Sequence, residues 1–304
     1  MGRRQPSLGL LGEDRQVTAW PTPAVPARPA SLVILALTAL LALAGLSACG
    51  GSEPSSSPSS SSSSVPAPGP TRATPPPTPA ADACYSLTFS QALAPTTRAQ
   101  PVSCAKRHTT QTYAVGRLDT VVDGHLLAVD SEHVRAQVAR TCPARLAHFL
   151  GGSPDDLRLS MLRSVWFTPT VEQSSEGAAW FRCDVIAVAG PDSLLPLSGR
   201  LKGVLADDDR AERFAMCSTA EPGTAAFRRV PCGEKHAWRA LSTVPLPAGR
   251  YPGEAKAKAA GQSVCKDAGR EVASDALDYQ WGYEWPTAAE WADGQTYGIC
   301  WAPD

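Results

Sequence analysis

The sequence predicts an α+β protein: two tandem, disulfide-stapled ββαββ modules that follow a signal peptide and a disordered Ser/Pro stalk. Three observations carry this. An apolar run ends at Cys49 and opens into a tract of serine and proline. The remaining eight cysteines fall into two sets of four with proportionate gaps. Between those cysteines, strand-period and helix-period segments recur in one order.

The chain starts with Arg3, Arg4, Arg15 and Arg28, followed by an uncharged Leu/Ala-rich run over residues 30–48. A positive region before a short apolar region is the pattern of an export signal. Its strongest part, Leu32 to Leu46, is shorter than the roughly 20 residues a spanning helix needs. Leu46-Ser47-Ala48-Cys49 resembles the bacterial lipoprotein box. That resemblance implies cleavage before Cys49 and lipidation of its thiol, and places the protein, lipid-anchored, on the extracytoplasmic face of the membrane. An ordinary signal peptide or a short anchor with an incidental cysteine is the competing reading. Several acyl chains would hold firmly, at about 0.8 kcal/mol per buried CH2.

Residues 50–82 contain 10 Ser and 9 Pro among 33 positions, too little apolar surface to build a core. The segment reads as a stalk with a reach between about 30 Å as a coil and about 100 Å as polyproline II. The expected organisation is a signal peptide over 1–48, lipidated cysteine and stalk over 49–82, a first module over 83–190, a connector over 191–212 and a second module over 213–304.

The first cysteine set is Cys84, Cys104, Cys142 and Cys183, with gaps of 20, 38 and 41; the second is Cys217, Cys232, Cys265 and Cys300, with gaps of 15, 33 and 35. Side chains repeat with them. His108 follows Cys104 by four residues, as His236 follows Cys232. Pro169-Thr170 precedes Cys183 by the interval at which Pro286-Thr287 precedes Cys300. Glu176-Gly177 answers Asp293-Gly294, and Trp180 answers Tyr297. An exported chain with an even cysteine set implies disulfides, and four cysteines per module allow three connectivities. First-to-second and third-to-fourth is the expected pairing: the first bond would clamp adjacent strands and the second would tie a helix to the last strand.

Within the first module, "HTTQTYAVGRL" alternates and is β-branched, a strand by period. A helix is expected over 131–149, opened by Asp130-Ser131-Glu132, with Val134, Val138 and Cys142 on one face and Pro143 kinking or splitting it. "LSMLRSVWF" and "AWFRCDVIAVA" read as strands around a Pro-Thr turn. The second module repeats this with "HAWRALSTVPL", the helical "GEAKAKAAGQSVCKDAGREVA", "YQWGYEW" and "YGICWA". In the connector, "GRLKGVL" is a candidate edge strand.

Net charge is −1 with no basic patch, so nucleic acid is not an expected partner. The Cys-x-x-x-His pairs could hold zinc or form a thiolate–imidazole couple. Paired cysteines with a turn-fixing histidine is the plainer reading, and no metal or cofactor is expected. Ser263-Val264-Cys265-Lys266 matches S-x-x-K, an acylation motif, but Lys-Thr-Gly and Ser-Asp-Asn are absent. Trp281, Trp285, Trp291 and Trp301 could stack on sugars or form core. Asp207-Asp208-Asp209 lacks the spacing of a calcium loop.

Val230-Pro231-Cys232 with His236, then Cys265, Pro286-Thr287, Trp291, Gly294 and Cys300, resemble the septum-formation domain of actinobacterial lipoproteins and membrane proteins. The first module matches through Cys104, His108, Cys142, Pro169-Thr170, Gly177 and Cys183. It departs at Ser174, which stands where Trp291 does, and at Ser103 in place of Pro231. The resemblance implies a link to cell division and no defined reaction. The expected function is non-catalytic binding or scaffolding at the cell envelope, with the membrane and other envelope or division proteins as partners. The alternatives are a thiol-redox enzyme using Cys104 or Cys232, an acyl hydrolase using Ser263 and Lys266, or a sensor with a ligand cleft between the modules.

Overall fold

A computed structural model describes residues 74–304; the apolar run, Cys49 and most of the stalk lie outside the described residues. The first half contains β1 (Cys84–Tyr85), α1 (Phe89–Ala92), β2 (Thr110–Arg117), the small hairpin β3 (Val121–Val122) and β4 (His125–Leu126), α2 (Glu132–Leu150), α3 (Pro154–Arg158), β5 (Leu162–Phe167), α4 (Val171–Ser175), β6 (Trp180–Gly190) and β7 (Ser193–Leu194). A 3-10 turn (Val204–Ala206) and α5 (Asp208–Glu212) lead to the second half. There follow β8 (Met216–Ser218), β9 (Arg229–Pro231), β10 (Trp238–Pro245), α6 (Glu254–Ala260), α7 (Gln262–Val272), β11 (Gly282–Glu284), α8 (Ala288–Ala292) and β12 (Tyr297–Pro303). The α+β class is the one expected from the sequence.

Each half builds one five-stranded antiparallel sheet, and the first half adds the separate two-stranded β3-β4 hairpin. The strand order is β1-β2-β6-β5, with β7 added to β6, and then β11-β12-β10-β8-β9. Matching strands occupy matching places: β8, β10, β12 and β11 answer β1, β2, β6 and β5. Even β9 has a counterpart, since Val102 bridges to Cys84 much as Val230 pairs with Cys217. Both central pairs shift register at one position. The shift falls between Thr112 and Ala114 opposite Asp184 and Cys183, and between Ala240 and Ser242 opposite Trp301 and Cys300. A bulge kept at the same site beside the same cysteine is a built feature of the repeat.

On one face of the first sheet lies α2. Ser131 caps it by accepting a hydrogen bond from the Val134 N–H, and Gly151 ends it in the left-handed region. Val134, Val138, Cys142, Leu146 and Leu150 recur every four residues and are all at most 1 % exposed. Such side chains each contribute about 1.5–3 kcal/mol on burial. Of the two effects expected of Pro143, kinking or splitting, the splitting does not occur: α2 is one 19-residue element. The apolar row continues on both sides of the proline, and the disulfide at Cys142 pins the helix to β6.

The matching helix is the one that breaks. Gly261 separates α6 from α7, because the Tyr283 ring lies where a side chain would be. A Cβ at Gly261 would sit 2.3 Å from that ring, and a Cβ at Gly298 equally close. The Tyr283 hydroxyl donates to the Ala257 carbonyl at 3.1 Å, the oxygen that a continuous helix would give to the residue 261 N–H.

The segment 191–212 folds onto the first half. Leu195, Leu197, Leu201 and Val204 form one buried cluster with Leu146, Leu150, Leu162 and Val185. "GRLKGVL" is not a strand: Gly199 and Gly203 take φ of +74° and +71°, which turn the chain and admit the 3-10 turn.

The sheet faces away from α2 and α7 meet one another. Phe167, Ile186, Val188 and Met161 of the first half share a buried cluster with Met216, Trp238, Ile299 and Trp301 of the second. A short ladder joins the halves, in which the Met161 N–H donates to the Phe214 carbonyl at 2.7 Å and the Met216 N–H to that of Leu159 at 2.8 Å. The faces that a ligand cleft between modules would use are therefore core.

Candidate functional site

The repeat's cysteines join as Cys84–Cys104, Cys142–Cys183, Cys217–Cys232 and Cys265–Cys300, with Cα separations of 5.3, 5.4, 4.9 and 4.8 Å. The first bond of each half ties the sheet edge to the turn that carries the histidine. The second ties helix to last strand. All eight sulfurs are thus bonded, and neither Cys104 nor Cys232 is a thiol in this state.

The Cys-x-x-x-His segments are tight turns closed by the imidazole. The Lys106 N–H donates to the Ser103 carbonyl and the Glu234 N–H to the Pro231 carbonyl, both at 2.9 Å. His108 Nδ1 then donates to the Lys106 carbonyl at 2.8 Å, and His236 Nδ1 to that of Glu234 at 2.7 Å. A carbonyl only accepts, so Nδ1 carries the proton in both. The two rings diverge at Nε2. That of fully buried His108 has no hydrogen-bond partner among the described residues. That of His236 lies 3.0 Å from Asp304 Oδ2.

Asp304 belongs to a chain of charges. Arg239 Nε donates to Asp304 Oδ2 at 2.8 Å, and its Nη1 and Nη2 donate to both oxygens of Glu212 at 3.0 and 2.6 Å. The Arg239 bond holds the Glu212 carboxyl low. Burial works to raise Asp304, but the bonds from Arg239 and His236 outweigh it and hold that carboxyl below its usual range as well. Cys217, His236 and Asp304 bring ligand-type atoms within 4.8 Å of one another. With Cys217 oxidised and Arg239 on Asp304, the arrangement is an ion-pair network tying α5, β10 and residue 304 together.

Pro169-Thr170 and Pro286-Thr287 begin matching one-turn helices. Thr170 Oγ1 accepts from the Gln173 N–H at 3.2 Å while Gln173 Oε1 accepts from the Thr170 N–H at 3.0 Å. Thr287 and Glu290 form the same box at 3.2 and 2.8 Å. The turns end at Gly177 and Gly294, with φ of +99° and +97°. The motif joins the last two strands of each module.

Of the four tryptophans, Trp301 is fully buried, Trp291 is buried with its Nε1 donating to the Gly249 carbonyl, and Trp281 and Trp285 are half-buried against Tyr283. They do not form an open stacking platform. Ser263 and Lys266 are exposed on α7, and Cys265 between them is bonded to Cys300. Asp207 caps α5 by accepting from the Arg210 N–H.

Two ion pairs, one fully and one largely buried, were not singled out from the sequence. Arg182 Nη2 lies 3.0 Å from Asp184 Oδ2, with side chains 3 % and 0 % exposed. Thr110 and Thr112 hydroxyls donate to the same carboxylate at 3.2 and 2.8 Å, and the guanidinium is stacked on Tyr85 and Phe167 at 3.9 and 4.6 Å. Burial pushes Asp184 up, and Arg182 and the threonines pull it back only in part. In the second half, Arg229 donates to both oxygens of Glu284 at 3.3 and 2.8 Å. The signal was present: Arg182 and Asp184 flank Cys183 in an otherwise apolar strand.

A family model described as septum formation matches residues 59–173 and again residues 162–300. No curated protein and no solved structure matches the chain. The chain belongs to the septum-formation family, of which it carries two copies in tandem.

Proposed function

We propose that this protein is a lipid-anchored, extracytoplasmic member of the septum-formation family that acts by binding or scaffolding and not by catalysis. Cys49 is the lipidation site and residues 50–82 the stalk. The membrane and other envelope or division proteins are the partners. The observation that carries the reading is the use made of the reactive side chains. The eight repeat cysteines are spent on disulfides, both motif histidines close turns, and Ser263 and Lys266 stand on an open helix surface. What remains is a stapled body with two outward helix faces, suited to presenting surface.

The test is the position of a stalk-intact fluorescent fusion in dividing cells beside a Cys49→Ala copy. Septal enrichment that disappears with Cys49→Ala is expected. Uniform signal from the unaltered fusion would refute the link to division, and enrichment surviving Cys49→Ala would refute the anchor. A labelled β-lactam that acylated Ser263 would overturn the non-catalytic reading.

A further inference from the structure

A groove of about 530 Å³ opens on the first half. It is lined by Tyr85, Trp180 and Arg182 of the sheet, by Gln173 in the capped turn and by the stalk's own end, Pro77–Ala80. Farther along, Pro75 lies against Gly177: a Cβ there would stand 3.2 Å from Pro75 Cγ.

Two of its lining residues carry donors that have no partner among the described residues: Trp180 Nε1 and Arg182 Nε, both buried, on side chains more than nine-tenths buried. A proline-rich chain has the opposite deficit. Its prolines lack N–H groups, and in the polyproline II form its carbonyls are left without internal partners. Aromatic-lined grooves with donors are how such chains are recognised.

The repeat supplies an internal control. Gly294 occupies the place of Gly177 with nearly the same φ, and a Cβ there would meet nothing within 4 Å. Counting back from Cys217 as Pro75–Pro79 count back from Cys84 gives residues 208–212, which form the charged helix α5. The proline seat is therefore particular to the first half.

We propose that this groove is a docking site for an extended proline-rich segment, and that its occupant is the end of the chain's own stalk, Pro75–Pro79, held in cis. Seating this segment shortens the free tether and fixes where it leaves the folded body. A proline-rich peptide of the same kind competes for the seat.

Arg72, just upstream, is a trypsin site for reading the seat in the full chain. Asparagine is among the residues that best tolerate a left-handed backbone, so Gly177→Asn crowds the Pro75 position, and Gly294→Asn repeats the same backbone strain at φ +97° without a proline neighbour. Cleavage after Arg72 should accelerate about tenfold in Gly177→Asn, tracking the undocked population, and stay at the unaltered rate in Gly294→Asn. Equal rates in all three chains, or equal acceleration in both variants, would overturn the docking. The second measurement is fluorescence anisotropy of a labelled peptide of residues 71–81. A cis copy competes at about millimolar effective concentration, so full chain carrying Pro75→Ser, Pro76→Ser and Pro77→Ser should bind at least about tenfold tighter than unaltered chain. No saturable binding to the triple variant, or equal binding to both, would overturn the groove's selectivity.

Discussion

Replacing Asp184 with alanine would remove the anion from a guanidinium that has nowhere else to turn. Arg182 is 3 % exposed, lies between the Tyr85 and Phe167 rings, and faces Asp184 at 3.0 Å. Breaking a buried pair by deleting one partner costs about 3–5 kcal/mol, because the other charge stays desolvated. In a domain of this size about 1 kcal/mol moves the melting temperature by about 2–4 °C, so Asp184→Ala should melt about 6–20 °C lower. Removing both charges is different in kind. Arg182→Met with Asp184→Leu leaves no buried charge, and such replacements are often neutral. The double variant should recover at least about 2 kcal/mol of the loss, less than all of it because Thr110 and Thr112 lose their acceptor. Urea unfolding followed by tryptophan fluorescence gives both numbers, with equal m-values certifying the comparison. A loss under about 1 kcal/mol for Asp184→Ala, or a double variant no more stable than the single, would refute the reasoning.

The Cys142–Cys183 bond closes 41 residues and Cys217–Cys232 closes 15, so chain entropy puts their removal by paired Ala substitution at about 4 and about 3 kcal/mol; the reverse order in thermal unfolding would contradict it. Thiol titration of denatured protein should find no free sulfhydryl among these eight cysteines, and one reactive pair would reopen the redox alternative. Gly261→Ala drives a methyl into the Tyr283 ring and should cost about 1–3 kcal/mol, with Tyr283→Leu relieving part of it in a double-mutant cycle. Glu212 and Asp304 have folded values held below their unfolded ones. Their stabilisation is thus complete above about pH 5 and is lost as pH falls through the folded values. Arg239→Ala should flatten the stability profile on that acid side. Burial pushes the Tyr283 phenol up to about 12, so absorbance titration should show its ionisation well after that of exposed tyrosines, and not in Tyr283→Leu.

What could be read from the chain was what each segment states locally. Cysteine spacing carried the repeat and the disulfides, Ser131 announced the start of α2, and alternation marked β2, β5, β6, β10 and β12. Features that depend on distant partners were hidden. Gly261 is visible as a weak point, but its meaning comes from Tyr283, 22 positions later. Pro143 looked like the stronger breaker, yet the row of buried residues through α2 prevails over it. Residues 195–204 look like linker because their leucines have no period; they are core only once α2 offers Leu146 and Leu150. The capping boxes at Thr170 and Thr287 were legible in principle, since Gln173 and Glu290 stand at the required spacing. The mutual burial of the two sheets left only an indirect trace, the apolar alternate positions of β6 and β12.

That mutual burial changes what evolution can do with the surface. When two identical chains meet about a two-fold axis, every residue must serve on both sides of the contact at once. A tandem copy is released from this rule. Here Arg182 and Asp184 on one side correspond in register to Ile299 and Trp301 on the other, so at these two positions one copy carries charged side chains and its sequel apolar ones. Specialised in this way, the halves have become lock and key to each other. Neither half could be exchanged for a second copy of its neighbour without changing charged side chains for apolar ones, or the reverse, at these positions.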